Sequence, residues 1–250
     1  MPVLLDVDER GLATLTLDRY AKRNSLDEAM LESFGEALGA IEADPQIRVV
    51  VLRGSNGFFC AGADIADWAD PGPVTADRLS RLGTATFARL AALSVPTVAL
   101  IERSALGGGL ELALACDLRV TTEDAGLGYP ETKLGNLTAW GGIARLVDTV
   151  GLAQARRLFL TATAISGAEA ARIGLVTHAV PADRLEETVE ELVTAVIACE
   201  PLALRVVKDI LAGYQTRVTA EPTLAAFFSF SDASRRRKEA FVKRRPTTTK

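Results

Sequence analysis

The sequence predicts an α/β fold, and three observations point to it. Short apolar, β-branched runs such as Ile47–Leu52 and Val95–Ile101 alternate with longer segments whose apolar residues recur at helical spacing. A glycine-containing turn follows each of these two runs, and from Leu152 onward the chain is mostly helix-forming. The 250 residues suffice for one large domain, or for a domain with an appendage. We therefore expect an α/β core at residues 1–190, followed by a helical region at residues 191–250.

The individual elements follow from local patterns. Two apolar runs, Val3–Val7 and Leu12–Leu17, flank a polar turn that ends in glycine, which is typical of a β-hairpin. A helix is predicted over Leu26–Ala43, with Ser25 as its N-cap and Glu28 completing a capping box. The other predicted strands are Ile47–Leu52, Val95–Ile101, Leu118–Thr121 and Val176–Val180, and the other predicted helices are Ala76–Leu93, Leu110–Ala115, one that begins at Ser166, Leu185–Cys199, Pro201–Leu211 and Pro222–Arg245.

Charge and hydropathy exclude several classes of protein. The formal net charge is −4, and phosphate contact needs a basic excess on some face, so we expect no general nucleic-acid binding. No apolar run approaches the ~18–20 residues that span a bilayer. The first residues lack a cationic segment followed by an apolar one, so no signal peptide is predicted. These observations together predict a cytoplasmic protein without a membrane partner.

Histidine and cysteine counts exclude further mechanisms. The chain has one histidine, His178, and three scattered cysteines, which match neither a disulfide framework nor a zinc-binding spacing. No G-x-S-x-G segment exists to present a nucleophilic serine. The chemistry of this protein must therefore use carboxylates, backbone amides or a cofactor.

The two glycine turns, Phe58–Ile65 and Ala105–Glu111, are candidate sites for an anionic oxygen. Glycine lets the backbone approach a ligand closely, and a following helix directs unpaired N–H groups outward. Neither phosphate-binding pattern fits, because no lysine follows as in G-x-x-x-x-G-K-[ST] and position 112 is Leu where G-x-G-x-x-G needs glycine. Tight helix–strand packing explains a glycine run equally well, so this observation alone leaves both interpretations open.

Two glutamates sharpen the hypothesis. Glu111 follows the second glycine turn and precedes an apolar run, so its side chain is expected to be buried. Glu131 follows Pro130. Burial raises the pKa of a carboxyl group, as general acid catalysis requires. Acids are also common in the first turn of a helix for electrostatic reasons, which is the alternative for both residues.

Taken together, the motifs resemble those of the crotonase superfamily, the enoyl-CoA hydratases and isomerases. The resemblance runs over almost the whole chain, with several motifs in the family's order and spacing. The matching segments are Leu17–Arg19 with Asn24–Leu26, Phe59–Ile65, Ala105–Leu112, Cys116–Arg119 with Thr122–Ala125, and Pro130–Gly135.

The resemblance implies a spiral of ββα units with a helical C-terminal region that serves trimerisation. A homotrimer or a dimer of trimers is expected. It also implies an acyl-CoA thioester substrate, with coenzyme A as part of the substrate, no separate cofactor and no metal.

The resemblance assigns roles to four residues. The thioester carbonyl is expected between the backbone N–H groups of Ala63 and Gly108. Hydratases of the family use two glutamates, at the positions of Glu111 and Glu131, whereas isomerases commonly keep only the second. Both are present, so hydration of a 2-enoyl-CoA is the preferred interpretation, with Glu131 acting at Cα and Glu111 helping to activate water.

Coenzyme A contacts are also carried over from the family. Backbone near Arg19 and Lys22 is expected to flank the nucleotide, together with the turn that holds Ala61, Asp64 and Ile65. A phenylalanine and basic residues of a C-terminal helix complete the pocket in the family. The candidates for these positions are Phe241 and Lys243, with Phe228 and Arg244 as alternatives.

Four positions depart from the family pattern. Tyr20 replaces a proline, and Arg103 replaces a glycine, which is strained if the site needs a positive φ. Leu137–Trp140 replaces the usual I-P-G-[AS], so Trp140 beside the acyl pocket is expected to shorten, cap or line it. An arginine run, Arg235–Lys238, stands near the end of the chain.

Other functions remain open at this stage. The same oxyanion site serves isomerases, lyases, decarboxylases and thioester hydrolases of the superfamily. A CoA-binding or RNA-associated trimer without turnover is a candidate of a different class, and the arginine run is the feature that favours it.

Overall fold

The computed structural model describes residues 2–65 and 72–213, together with Asp232 and Arg236. The chain divides into two compact units, Met1–Ile197 and Ala198–Lys250. The boundary expected at residue 190 and the assembly role of the second region stay predictions. Among the described residues, no helix has the length and apolar character needed to cross a membrane.

A six-stranded sheet organises the first unit. Its order is β1-β2-β3-β4-β6-β9, with β1 antiparallel to β2 and every other neighbouring pair parallel. A smaller sheet has the order β5-β7-β8. The described strands are β1 Val3–Val7, β2 Leu12–Leu17, β3 Val49–Gly54, β4 Thr97–Ile101, β5 Ser104–Leu106, β6 Leu118–Thr122, β7 Gly126–Gly128, β8 Ile165–Ser166 and β9 His178–Val180.

Seven α-helices lie in the part of the chain that the structure describes. They are α1 Glu28–Ala43, α2 Gly72–Ala91, α3 Gly108–Leu114, α4 Gly142–Thr161, α5 Gly167–Arg172, α6 Leu185–Ala198 and α7 Pro201–Ala212. Short 3-10 helices occur at Tyr20–Lys22, Ser55–Gly57, Glu131–Leu134 and Ala182–Arg184. Alternation of strands and helices confirms the predicted α/β class.

Apolar side chains cover both faces of the large sheet. Val50 and Leu52 of β3 lie in the larger core cluster, which also contains Phe34 of α1. The alternate residues Val49 and Val51 lie in a second cluster with Val189 of α6 and its neighbours. This period-two alternation follows from strand geometry, and it fixes which residues face each helical layer.

The N-cap prediction for α1 was wrong. The helix begins at Glu28, and the side chain of Asp27 accepts a hydrogen bond from the N–H of Met30 at 2.8 Å. Ser25 instead accepts a hydrogen bond from the guanidinium of Arg19 at 2.8 Å. Leu26 is bridged to Ala63 in strand-like pairing, so the helix cannot include it.

The small sheet was not predicted. Its strands contain two or three residues each, too few to show a period in sequence. The chain leaves β4 and enters β5 through Arg103, whose φ is +56°. The positive φ considered for Arg103 is therefore present, and it permits the sharp change of direction between the two sheets.

Candidate active site

A cavity of about 560 Å³ opens in the first unit and holds most of the predicted site residues. The two glycine turns form one side, and the segment from Pro130 to Trp140 forms the other. The lining residues are Ala61, Gly62, Ala63, Ile65, Ser80, Gly107, Gly108, Glu111, Pro130, Glu131, Leu134, Asn136, Leu137, Ala139 and Trp140.

Backbone pairing brings the two glycine turns together. Cys60 bridges to Ala105 of β5. Gly62 has φ +99°, and a Cβ there would lie 2.6 Å from the carbonyl oxygen of Leu106, so no other residue fits. A Cβ at Gly108 would lie 3.3 Å from the nitrogen of Ala63, which places the two predicted donor groups side by side. Within the described residues, neither the Ala63 N–H nor the Gly108 N–H has a hydrogen-bond acceptor.

Gly107 joins the second turn to the segment that carries Glu131. Gly107 is the N-cap residue of α3, with a φ of +53° and a ψ of −124°. Its N–H donates to the carbonyl of Gly128 at 2.9 Å, which fixes the turn against β7. A Cβ at Gly107 would lie 2.6 Å from Oε1 of Glu131, so the absence of a side chain here makes room for that carboxylate.

Glu111 lies in the first turn of α3 with 2% of its surface exposed. Its Oε1 accepts hydrogen bonds from the N–H groups of Trp140 at 2.7 Å and Gly142 at 2.8 Å. Burial raises the pKa of Glu111 to about 7, opposed by these two hydrogen bonds and assisted by the negative charge of Glu131. The group therefore changes charge near neutral pH.

Glu131 begins the 3-10 helix that follows β7. Its Oε2 is buried and has no hydrogen-bond partner among the described residues. Burial raises the pKa of Glu131 above its ordinary value. Since its charge is close enough to raise the pKa of Glu111, the structure brings the two predicted carboxylates into one cavity.

Two further charged or polar groups surround the carboxylates. The guanidinium of Arg145 donates to the carbonyl of Trp140 at 2.8 Å, and its positive charge lowers the pKa of Glu111. The hydroxyl of Tyr129 is buried without a hydrogen-bond partner among the described residues. Burial first, and then the charges of both glutamates, raise the pKa of Tyr129. The tyrosine therefore stays neutral beside the carboxylate pair.

Arg19 holds the first glycine turn in place. Its guanidinium donates to Asp64 at 2.7 Å and also pairs with Asp27 at the start of α1 at 2.9 Å. Asp64 directly follows Ala63, so the ion pair anchors the residue next to a predicted donor. The predicted contact of Arg19 with coenzyme A stays a prediction, because its described hydrogen bonds are made within the protein.

The remaining predicted substrate contacts fall into three groups. Ala61, Ile65 and Trp140 line the cavity, and Ile65 is 65% exposed at its opening. Lys22 is exposed on the first 3-10 helix. Phe241 and Lys243, with the alternatives Phe228 and Arg244, lie outside the described residues.

Sequence reasoning missed several lining residues. Ser80 comes from α2, and Asn136 and Leu134 come from the segment after Glu131. Tyr129 and Arg145 were also missed, although each lies within a few residues of a predicted one. Closeness in sequence to Glu131 was a signal for Tyr129, Leu134 and Asn136, and closeness to Trp140 was one for Arg145. Ser80 had no such signal, because it reaches the cavity through tertiary packing alone.

Comparison with solved structures identifies the fold. An enoyl-CoA hydratase from Bacillus anthracis superposes with a TM-score of 0.91 at 31% identity, over 98% of this chain and 97% of that one. A structure described as AtuE of Pseudomonas aeruginosa gives the same TM-score at 34% identity, over 98% of both chains. The chain therefore has the crotonase fold.

Sequence comparison then identifies the family. The chain belongs to the enoyl-CoA hydratase/isomerase family, whose model matches residues 8–245. A short-chain-enoyl-CoA hydratase of Clostridium acetobutylicum is 34% identical over 204 residues, which are 81% of this chain and 78% of that protein. The resemblance to the crotonase superfamily is thus confirmed.

Proposed function

We propose that this protein is an enoyl-CoA hydratase that adds water across the double bond of a 2-enoyl-CoA thioester. One observation carries the proposal: the buried Glu111 and the half-buried Glu131, whose Oε2 has no hydrogen-bond partner, share a cavity with two backbone N–H groups that have no acceptor within the described part of the chain. The family membership supports an acyl-CoA enzyme of this kind.

The backbone donors provide the electrophilic half of the site. We assign the thioester oxygen to the space before the N–H groups of Ala63 and Gly108. The oxygen gains negative charge when water attacks Cβ, so donors already aimed at it stabilise the transition state. One such donor contributes about 2.7–4 kcal/mol in other acyl-transfer enzymes.

The carboxylates provide the proton transfers. A water molecule between Glu111 and Glu131 gives its hydroxyl to Cβ and one proton to a carboxylate. We assign Glu131 to proton delivery at Cα and Glu111 to orientation and activation of the water. The enolate becomes the saturated 3-hydroxyacyl thioester when Glu131 gives its proton to Cα. Glu111 then holds the proton taken from water, and its transfer to Glu131 before the next turnover restores the starting state, so atoms and charge balance.

Crotonyl-CoA tests the proposal directly. Hydration removes the conjugated double bond, and the loss of its absorbance gives the rate. Glu111→Gln and Glu131→Gln should each lower kcat by at least about 100-fold, as expected for loss of general acid–base catalysis. Wild-type protein without activity on crotonyl-CoA and its longer homologues, or both variants at full rate, would contradict the assignment.

Double-bond isomerisation is the alternative within the family. An isomerase needs only the carboxylate at Cα, so Glu111→Gln would retain conversion of a 3-enoyl-CoA while Glu131→Gln would not. Product analysis separates these outcomes, and it also detects decarboxylation or thioester hydrolysis. Salt-dependent RNA binding without turnover would favour the non-enzymatic alternative.

The proposed enzyme uses no cofactor beyond the coenzyme A of its substrate. Activity should therefore survive extensive dialysis against a metal chelator, and its loss would contradict this point. We also propose a homotrimer or a dimer of trimers, in line with the family resemblance. Light scattering coupled to size-exclusion chromatography measures the assembly, and a monomer at micromolar concentration would contradict it.

A further inference from the structure

Trp140 occupies an unusual position in the cavity wall. Its backbone N–H donates to the carboxylate of Glu111, and its indole ring is packed against Gly108 at the start of α3. The other edge of the ring is packed against Gly83 of α2, where a Cβ would overlap the indole nitrogen and its neighbours. Phe87, one helical turn later in α2, contacts the ring edge-on with centroids 5.3 Å apart.

The two glycines show that the indole fills this space completely. With 2% of its surface exposed, Trp140 is wedged between α2 and α3. Any larger residue at Gly83 or Gly108 would collide with it. The ring therefore forms the part of the cavity wall that lies between α2 and α3.

The direction of a bound acyl chain follows from the site. Under the proposed function, the carbonyl oxygen binds at the N–H of Gly108 and Cβ is held between the carboxylates of Glu111 and Glu131. Trp140 is bonded through its backbone to Glu111 and packed through its ring on Gly108. Atoms beyond Cβ therefore meet the indole next.

We propose that the indole of Trp140 sets the depth of the acyl pocket and restricts the substrate to short-chain thioesters. This inference rests on the proposed function for its substrate class, but the depth of the pocket is a property that binding alone can measure. The backbone N–H of Trp140 is retained in every side-chain variant, so its hydrogen bond to Glu111 is available in each of them.

A series of 2-enoyl-CoA substrates with four to ten acyl carbons tests the proposal by activity. In wild-type protein kcat/KM should fall beyond four to six carbons. Trp140→Ala should reverse this order, because each methylene that enters the enlarged pocket adds about fourfold to binding. A ratio of kcat/KM for eight and four carbons at least 10-fold above the wild-type ratio supports the proposal. An unchanged ratio in folded protein overturns it.

Binding of saturated thioesters separates this inference from the proposed function. Calorimetry with butyryl-CoA and octanoyl-CoA requires no turnover. If Trp140→Ala shifts the affinity ratio toward octanoyl-CoA by 10-fold or more while no variant hydrates crotonyl-CoA, the pocket assignment stands and the hydratase assignment fails. An unchanged affinity ratio overturns the pocket assignment whether or not the protein is a hydratase.

Phe34→Leu is the matched control. Phe34 is also a buried aromatic residue, but it lies in the core and does not line the cavity. Its truncation should lower thermal stability while leaving the chain-length ratio at the wild-type value. Should Trp140→Ala fail to fold, Trp140→Phe gives a smaller opening, and the same shift in ratio is expected at reduced size.

Gly83→Ala tests the position of the indole without any ligand. In wild-type protein the added methyl collides with the ring and should lower Tm by about 2–6 °C, as for other overpacked cores. In the Trp140→Ala background the collision is absent, and alanine should raise Tm because it favours the helix. Equal effects in both backgrounds would show that the indole does not lie between the helices.

Discussion

Gly107 and Glu131 are adjacent in space although 24 positions apart in sequence, because a Cβ at Gly107 would lie 2.6 Å from Oε1 of the glutamate. The glycine is thus required by two conditions at once, its φ of +53° and its closeness to a carboxylate. The first condition concerns folding, and the second concerns the chemistry of the site.

Gly107→Ala should reduce activity more than stability. The methyl group displaces the Glu131 carboxylate, so kcat is expected to fall by at least about 100-fold, the usual contribution of a general acid or base. The backbone conformation of Gly107, which alanine rarely adopts, costs a further ~1–3 kcal/mol of unfolding free energy. Gly174→Ala is the control, because Gly174 also has a positive φ, +78°, but a Cβ there would have no neighbour within 4 Å. It should lose comparable stability and keep full activity. Equal activity in both variants would refute the argument.

Glu111→Gln should make the protein more stable above neutral pH. The pKa of Glu111 is raised from 4.5 to about 7 in the folded state, so folding favours the protonated form. The contribution of Glu111 to the unfolding free energy is therefore fully present below pH 4.5, and it is lost as the pH rises through 7. Glutamine does not ionise, so the unfolding free energy of the variant should exceed that of wild type by on the order of 3 kcal/mol at pH 8 and should equal it at pH 4.5. Urea denaturation at the two pH values measures it. A glutamine variant that is less stable at pH 8 would show that the carboxylate stabilises the fold.

Arg145→Gln should move the pH dependence of hydration. The Arg145 charge lowers the pKa of Glu111, so its removal raises that pKa further. If ionised Glu111 activates water, the rise of kcat/KM with pH shifts to higher pH in the variant. Arg145→Lys keeps the charge and should stay near the wild-type profile. If the protonated form of Glu111 is the active one, kcat/KM instead falls with pH and that fall moves to higher pH in Arg145→Gln. An unmoved profile, or a shift toward lower pH, would contradict the link between Arg145 and Glu111.

Arg19→Ala should lower both stability and kcat. The variant removes the guanidinium that pairs with Asp64 and Asp27, at an expected cost of about 2–3 kcal/mol of unfolding free energy. It also frees the turn that carries the Ala63 N–H, so kcat falls. Arg10→Ala is the control, because the ion pair of Arg10 with Glu190 is exposed and such pairs contribute about 0–1 kcal/mol. Urea unfolding curves and rates of crotonyl-CoA hydration are measured for both variants. Similar losses of unfolding free energy and kcat in the two would contradict a special role for Arg19.

Five strands of the large sheet could be predicted because they are apolar and contain five or six residues, enough to show their character. Val49–Gly54 and Thr97–Ile101 lie within two residues of the predicted strands. The small sheet could not be predicted, since a strand such as Ile165–Ser166 owes its existence to its partners. Likewise the N-cap at Asp27 instead of Ser25 could not be predicted, because it follows from the pairing of Leu26 with Ala63, which is distant in sequence.

The candidate site was predictable to the extent that its residues lie in motifs. Glu111, Glu131, Ala63 and Gly108 were located by motif and lie around one cavity, while their roles stay predictions. The influence of Arg145 on Glu111 was not predictable, because it arises from through-space electrostatics between two helices. The requirement for glycine at position 83 was not predictable either, because it arises from the indole of Trp140, which leaves no room for a Cβ there.

The main-chain origin of the Ala63 and Gly108 donors has an evolutionary consequence. Among single substitutions only proline deletes either N–H, whereas almost any exchange at position 111 or 131 removes a carboxylate. Related proteins can therefore lose, gain or move their catalytic carboxylates while the two backbone N–H groups that bind the thioester oxygen are kept. Selection for new acyl-CoA reactions in the laboratory would accordingly start from codons 111, 131 and 140, with Ala63 and the glycines of the two turns left untouched.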